Sequence, residues 1–347
     1  LICLCSGCGE EFDGVPEGGH RLMCGDSTSA ADVAVLAAGL APALCFTSPP
    51  YAQQRDYKSG GIEDWDRLMQ GVFGALPVAA DAQVLVNLGL VHRDNEWHPY
   101  WDGWIAWMRA QGWRRFGWYV WDQGPGLPGN WNGRLAPSHE FIFHFNRTAE
   151  AARKTVKTKY GGQETHLRKD GSSTSLRDKA GKVGSWAHAG RVTQDRRIPD
   201  SVVRVLRRLD EFLEALLGLS DEDTAHWPES VVRIMRHKAR GIERGHPAVF
   251  PVALVSEMMT AFSDAGDVVY EPFSGSGTQL ISATINGRVC LAMELAPAYV
   301  DLAVRRWQAF TGEVAVRESD GAVLDEVRAE ELARETRAAD SNARPHA

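Results

Sequence analysis

Five consecutive residues, Thr47-Ser48-Pro49-Pro50-Tyr51, close the apolar run Ala43-Leu44-Cys45-Phe46, which reads as a buried strand. Two successive prolines cannot continue a sheet, so the chain must leave it here along a rigid path. Three groups are thereby fixed in space: the Ser48 hydroxyl, the Pro49 carbonyl and the Tyr51 ring. Two acceptors beside an aromatic face suit an NH₂ group on a flat ring. The acceptors take both amine protons and turn the nitrogen lone pair toward an electrophile, while the tyrosine stacks on the ring. A plain strand-ending turn uses the same residue types, but the whole string directly after a buried strand is more specific than a turn requires.

A second string, Glu271-Pro272-Phe273-Ser274-Gly275-Ser276-Gly277-Thr278, follows the strand-like Asp267–Glu271 and precedes an apolar helix from Gln279 to Asn286, stopped by Gly287. Its glycines permit a tight turn and close approach of backbone to a ligand. It lacks the third glycine of a dinucleotide fingerprint and the lysine of a phosphate loop. The next strand, Val289–Met293, ends at Glu294, whose carboxylate can accept both ribose hydroxyls of an adenosine. Pro297 then opens a second helix, with Val300, Ala303, Val304 and Trp307 forming its apolar stripe. A β-α-β-α unit with its glycine loop at the strand's C-terminal end matches where open parallel sheets bind nucleotides.

The elements that must position these groups are legible upstream. Leu22–Gly25 is strand-like and ends at Asp26; Ser27 and Ser29 are helix caps before Ala31–Leu40. Val84–Leu88, Arg115–Trp121 and Glu140–Phe145 read as further strands, the last two as an antiparallel pair. Tyr100–Gln111 reads as a helix whose Trp101, Trp104 and Trp107, at spacing three, belong to a core; Trp121 is a candidate neighbour of the site. About seven strands in one mixed, mostly parallel sheet with helices on both faces are expected.

The two strings resemble those of the amino-group DNA methyltransferases: the proline-proline-aromatic string their catalytic motif, the Phe-x-Gly-x-Gly string their cofactor motif. The catalytic string comes first, as in the permuted beta subgroup, whose target-recognition segment lies between the two. The resemblance covers roughly residues 20–312 and implies a Rossmann-like S-adenosylmethionine-dependent methyltransferase sheet with the last strand antiparallel. It implies catalysis by Ser48, Pro49, Pro50 and Tyr51. Cofactor contacts fall to Asp26 at the adenine, Glu294 at the ribose, and Thr47, Glu271, Phe273, Ser274, Gly275, Ser276, Gly277 and Thr278 around the pocket. Glu271 stands where many relatives carry Asp. His246–Pro251 is similar to the segment that closes over the methionine end, with Pro251 as the named contact. Glu140 with Phe141–Phe145 is similar to a strand of mainly structural role. On this basis the chain divides into an extension or linker (1–20), a catalytic half (21–146), an insertion and target-recognition region (147–245), a cofactor-binding half (246–312) and a charged tail (313–347).

The implied partner is double-stranded DNA, from which a base is flipped for methylation of its exocyclic amine. The serine that opens the proline pair is associated in the family more with cytosine N4 than with adenine N6; the adenine reading stays open. No Pro-Cys string of the ring-carbon enzymes accompanies the motif. Net charge is −7, which argues against a protein that coats nucleic acid, yet residues 151–208 hold 15 Lys/Arg against 5 Asp/Glu. Lys154, Lys157, Lys159, Arg168 and Lys169 are candidate phosphate contacts; a solvated basic face reads the same way. The Gly/Ser/Thr/Lys-rich stretch from Arg147 to about Val192 reads as a long loop, functional or disordered.

Rival readings keep the fold with RNA, a protein or a small molecule as substrate, or keep DNA binding without catalysis. Cys3, Cys5, Cys8 and Cys24 with His20 could hold zinc, but only Cys5 and Cys8 form a tight pair, so free thiols and no metal are expected. No apolar run approaches the ~20 residues of a membrane helix; the sparse, uneven cysteines suit a reducing cytosol, and a cytoplasmic bacterial or phage setting is expected, with a cognate restriction nuclease as a candidate partner of a restriction-modification system. The chain does not begin with Met, so a processed, truncated or larger protein is an expectation too.

Overall fold

The computed structural model describes residues 2–5, 19–51, 62–123, 131–150, 152–158, 160–165, 167–168, 170, 172–177, 181–186, 189–204, 251–319 and 321–323. In chain order the first half gives β1 (Ile2–Cys5), β2 (Arg21–Cys24), α1 (Ala30–Ala37), β3 (Leu44–Thr47), α2 (Ile62–Gly74), β4 (Gln83–Leu88), the hairpin β5 (Val91–Arg93) and β6 (Glu96–His98), α3 (Asp102–Ala110), β7 (Arg114–Asp122) and β8 (His139–Asn146). Five short strands follow, β9 (Val156–Lys157), β10 (Ser175–Arg177), β11 (Val183–Ser185), β12 (Arg196–Arg197) and β13 (Val202–Arg204). The last part gives α4 (Val252–Phe262), β14 (Val268–Glu271), α5 (Thr278–Asn286), β15 (Val289–Glu294), α6 (Pro297–Thr311) and β16 (Val316–Arg317).

Ten strands form one sheet in the order β13-β7-β8-β4-β3-β14-β15-β2-β1-β16. All pairings are parallel except those of β8, which runs antiparallel to both β4 and β7. The single reversed strand and the mostly parallel Rossmann-like sheet agree with expectation. The seven anticipated strands are the centre of the sheet; the count rises to ten because short β1, β13 and β16 add to its two edges.

Strand side chains alternate between two faces. Leu22, Leu44, Phe46, Leu85 and Val269 join a buried cluster with Leu254, Leu280 and Val304 of α4, α5 and α6. Their neighbours Met23, Cys45, Val84, Val86 and Tyr270 join the other cluster, with Leu36, Met69 and Trp104 of α1, α2 and α3. Burial on both faces explains why these strands read as continuous apolar runs. Trp104 is fully buried and meets Phe73 and Phe145 edge-on at 5.0 and 5.3 Å; Trp101 is buried and Trp107 partly so.

Local signals place the helices. Ser29 caps α1 by accepting from the Asp32 N–H at 3.2 Å. Ser27, read as a second cap, instead donates to the Pro272 carbonyl at 2.6 Å, tying the start of α1 to the glycine loop. α5 ends at Gly287 in the left-handed conformation, φ 67°. The stretch read as a long loop carries the antiparallel pair β10 with β11 and the strand β9, which pairs antiparallel with β12 just beyond it. Among the described residues no helix is long and apolar enough to cross a membrane.

Candidate active site

Parallel strands deliver their C-terminal ends to one sheet edge. There β3 ends at Thr47, β14 at Glu271, β15 at Glu294 and β2 just before Asp26. The strand order reverses between β3 and β14, which puts Thr47 and Glu271 at the point where open α/β sheets bind ligands.

Thr47 and Glu271 join the two halves of the site. Both are buried, and the Thr47 hydroxyl donates to Glu271 Oε1 at 2.5 Å. The same oxygen accepts the Phe273 N–H at 2.9 Å, which folds the loop back over its strand. Burial pushes the Glu271 carboxyl up to about 7, against the pull of these donors. One residue into α5, Gln279 Nε2 donates to the Phe46 carbonyl at 2.7 Å. The string at Thr47–Tyr51 and the string at Glu271–Thr278 are thus fastened to each other although over 200 residues apart in sequence.

The loop itself is shaped for close approach. Gly275 and Gly277 have φ of 51° and 76°, and a Cβ on Gly277 would sit 2.7 Å from the Ala303 Cβ of α6. Glu294 accepts the Gly275 N–H at 2.8 Å on Oε2 and the Ala296 N–H at 3.0 Å on Oε1. Burial raises its pKa. A carboxylate has about four acceptor directions, so capacity remains for a ligand's hydroxyl. Ser274 is buried and its hydroxyl has no hydrogen-bond partner among the described residues. Buried polar atoms are rarely left unpaired, so this oxygen fits a polar ligand lying on the loop. Ser276 and Thr278 point elsewhere: Arg306 Nη1 of α6 donates to the Ser276 hydroxyl at 2.8 Å and to Thr278 Oγ1 at 3.1 Å, bracing the loop from behind.

Asp26 is exposed at the same edge. Its Oδ1 accepts from the Thr28 N–H and hydroxyl, both at 2.8 Å. Pro251 precedes α4, which packs on α5; residues 246–250 lie outside the described ones. Lys154, Lys157 and Arg168 lie in the insertion, where Lys154 donates to Gln194 and β9 carries Lys157; Lys159 and Lys169 lie outside the described residues. The zinc reading rests on Cys8, outside the described residues, and on Cys3 and Cys5, of which only the backbone is described.

The Ser48–Tyr51 segment is held from three sides. Trp65 Nε1 of α2 donates to the Pro50 carbonyl at 2.7 Å. The Tyr51 hydroxyl lies 3.4 Å from Ser48 Oγ and donates to Glu140 Oε2 at 2.6 Å. Asn87 Nδ2 donates both to the Tyr51 hydroxyl, at 2.8 Å, and to Glu140 Oε2, at 2.6 Å. Neither Asn87 nor a site contact for Glu140 was anticipated from the sequence. The available signal was polar residues, Asn87 and Glu140 among them, inside two otherwise apolar strands, which must find partners when buried. Trp121, a candidate neighbour of the site, is instead buried in the cluster under α4, whereas Tyr51 packs against the other.

Against known proteins, residues 43–305 match the DNA methylase family, well over half of the chain. A 61-residue stretch is 39% identical to the orphan methyltransferase M.BamHII of Bacillus amyloliquefaciens, covering 18% of this chain and 23% of that protein. Another 61 residues are 36% identical to the DNA adenine methyltransferase YhdJ of Escherichia coli K12, covering 18% and 21%. The chain thus spans less than a quarter of the length of these relatives. The solved cytosine-N4-specific PvuII DNA methyltransferase superposes with a TM-score of 0.51 at 15% identity, over 86% of this chain and 95% of that one, a likeness of fold.

Proposed function

We propose that this chain, which belongs to the DNA methylase family, moves a methyl group from S-adenosylmethionine to the exocyclic amine of a base flipped out of duplex DNA, cytosine N4 first. The observation that carries the reading is the fastening of the Ser-Pro-Pro-Tyr segment to the glycine loop through Thr47 and Glu271. An amine held at the first string would face a ligand held on the second.

The residues fit the cofactor. Glu294 takes the ribose hydroxyls and Asp26 the adenine amine. Phe273, Ser274, Gly275 and Gly277 line the pocket, with Ser274 Oγ offering an unmatched polar atom. Pro251 lies toward the methionine end. Thr47, Glu271, Ser276 and Thr278 hold the loop in place. When bound, the cofactor supplies a methyl on a sulfonium, an electrophile that needs no further activation.

The chain's own task is therefore positioning. The Ser48 hydroxyl and Pro49 carbonyl accept the two amine hydrogens and aim the nitrogen lone pair. Pro50 keeps the segment rigid. Tyr51 covers one face of the flipped base. Fixed acceptors stabilise the charge that builds on the amine nitrogen. Lys154, Lys157, Lys159, Arg168 and Lys169 supply phosphate contacts, in keeping with the basic balance of residues 151–208.

Cytosine is favoured by Ser48, a neutral and short acceptor at the head of the motif. Adenine N6 is the second reading, favoured by the adenine-methylating relative. The experiment is methyl transfer from labelled cofactor to duplex DNA and, separately, to RNA, followed by digestion and mass spectrometry of the nucleosides. N4-methylcytosine in DNA is expected; N6-methyladenine moves the reading to adenine, and label in RNA alone overturns it.

A further inference from the structure

The Tyr51 hydroxyl belongs to a closed triangle of polar groups that the transfer step described above does not use. It donates to Glu140 Oε2 at 2.6 Å, while Asn87 Nδ2 reaches both members, at 2.8 and 2.6 Å. Asn87 is fully buried and Glu140 nearly so. The two sit on adjacent antiparallel strands, where Asn87 pairs with Ile142 and Leu88 with Phe141.

The ring beneath that hydroxyl is also confined. A Cβ on Gly89 would come within 2.8 Å of Tyr51 Cε2, so only a glycine lets the ring lie where it does. The Tyr100 hydroxyl fixes the backbone there by donating to the Gly89 carbonyl at 3.0 Å. Tyr51 follows two prolines and itself lies in no helix or strand. Its rotamer is therefore set by contacts, and the anchor at the tip of the ring is the charged one. Burial first, and Glu140 beside it second, push the phenol well above its usual range, so it stays a proton donor toward the carboxylate.

We propose that Glu140 and Asn87 are positioning residues: they hold the Tyr51 ring in the orientation in which it receives a flipped base before any base arrives. This deepens, and rests on, the base-methylation reading above. A ring already oriented loses little freedom when the base enters. A ring released from Glu140 can turn about its side-chain torsions and must be captured by each incoming base. The same triangle could serve only to satisfy buried polar groups between β4 and β8, and the test separates the two roles.

The test uses the full chain with Glu140→Gln, Tyr51→Phe and the double variant. Glutamine keeps the shape of Glu140 and removes its charge; phenylalanine keeps the ring and removes its anchor. Single-turnover methyl transfer to duplex DNA should fall about 10- to 100-fold in each single variant, the scale of a misplaced reacting partner. The double variant should fall no further than the worse single one, because both act on one interaction, which glutamine weakens by removing the charge and phenylalanine removes. Cofactor affinity by calorimetry should stay at the wild-type value. With 2-aminopurine at the target base, the fluorescence rise on binding should be smaller or slower in each variant.

Additive losses, or Glu140→Gln transferring at the wild-type rate with wild-type 2-aminopurine fluorescence, would overturn the proposal. So would losses that follow the melting temperature and appear equally in cofactor affinity, the pattern of a structural role alone. A wild-type chain that methylates no DNA overturns the base-methylation reading and this proposal with it. An active wild type with unaffected variants overturns this proposal alone.

Discussion

The Thr47 hydroxyl lies 2.5 Å from Glu271 Oε1, a bond that joins the ends of the two strands at which the order of the sheet reverses. It joins the residue before the Ser-Pro-Pro-Tyr segment to the residue that opens the glycine loop. Removing the hydroxyl leaves a buried carboxylate one donor short. Thr47→Val should therefore destabilise the fold by about 1–3 kcal/mol, read by urea denaturation, and should weaken cofactor binding through the loosened loop.

Glu271 gives the protein a pH dependence whose sign is fixed. Burial raises its carboxyl from the ordinary value of 4.5 to about 7. The folded state then binds this proton more tightly than the unfolded state does. Its contribution is full below pH 4.5 and is lost as pH rises through about 7. The total change is roughly 3 kcal/mol. Across this range the urea midpoint of the wild type should fall with pH relative to that of Glu271→Gln, because His20 and His144, which burial lowers to about 4, give the opposite slope in both proteins.

Gly277 should tolerate no side chain. At φ 76° an L-residue is strained, and the added Cβ would meet Ala303 Cβ at 2.7 Å. Left-handed backbone alone costs roughly 1–2 kcal/mol in a non-glycine residue, and the contact with α6 adds to it. Gly277→Ala should lower the melting temperature and remove cofactor binding by calorimetry.

Glu294 both shapes the loop, through the Gly275 N–H, and caps the start of the next segment, through the Ala296 N–H. Glu294→Gln replaces one acceptor oxygen with a donor and removes the charge. Hydrogen bonds to charged groups are worth about 1.5–3 kcal/mol, so cofactor affinity should fall by about 10- to 100-fold in calorimetry, with DNA binding retained in a gel-shift assay.

Much of this arrangement was legible in the residues. The central strands are buried on both faces, so Ala43–Phe46 and Val289–Met293 read as unbroken apolar runs with turn residues at their ends. Ser29 and Gly287 mark a helix start and a helix stop by their own chemistry. What could not be read depends on pairing between distant segments. Ile2–Cys5 and Val316–Arg317 are too short to carry a period; the first is a strand because β2 lies beside it, and the second because the first does. Asn87 and Glu140 meet only through the register of two antiparallel strands, and no spacing along the chain announces it. Ser27 follows a cap-like pattern, yet the nearer partner for its hydroxyl is Pro272, 245 residues away in sequence.

The central claim is that an amine pinned at Ser48 faces a methyl held over Gly275, and single-turnover transfer by Ser48→Ala tests it most directly. With cofactor affinity measured on the same sample, transfer to duplex DNA should fall by about 100-fold or more, while the cofactor binds as in the wild type. Transfer at the wild-type rate by Ser48→Ala would contradict the account.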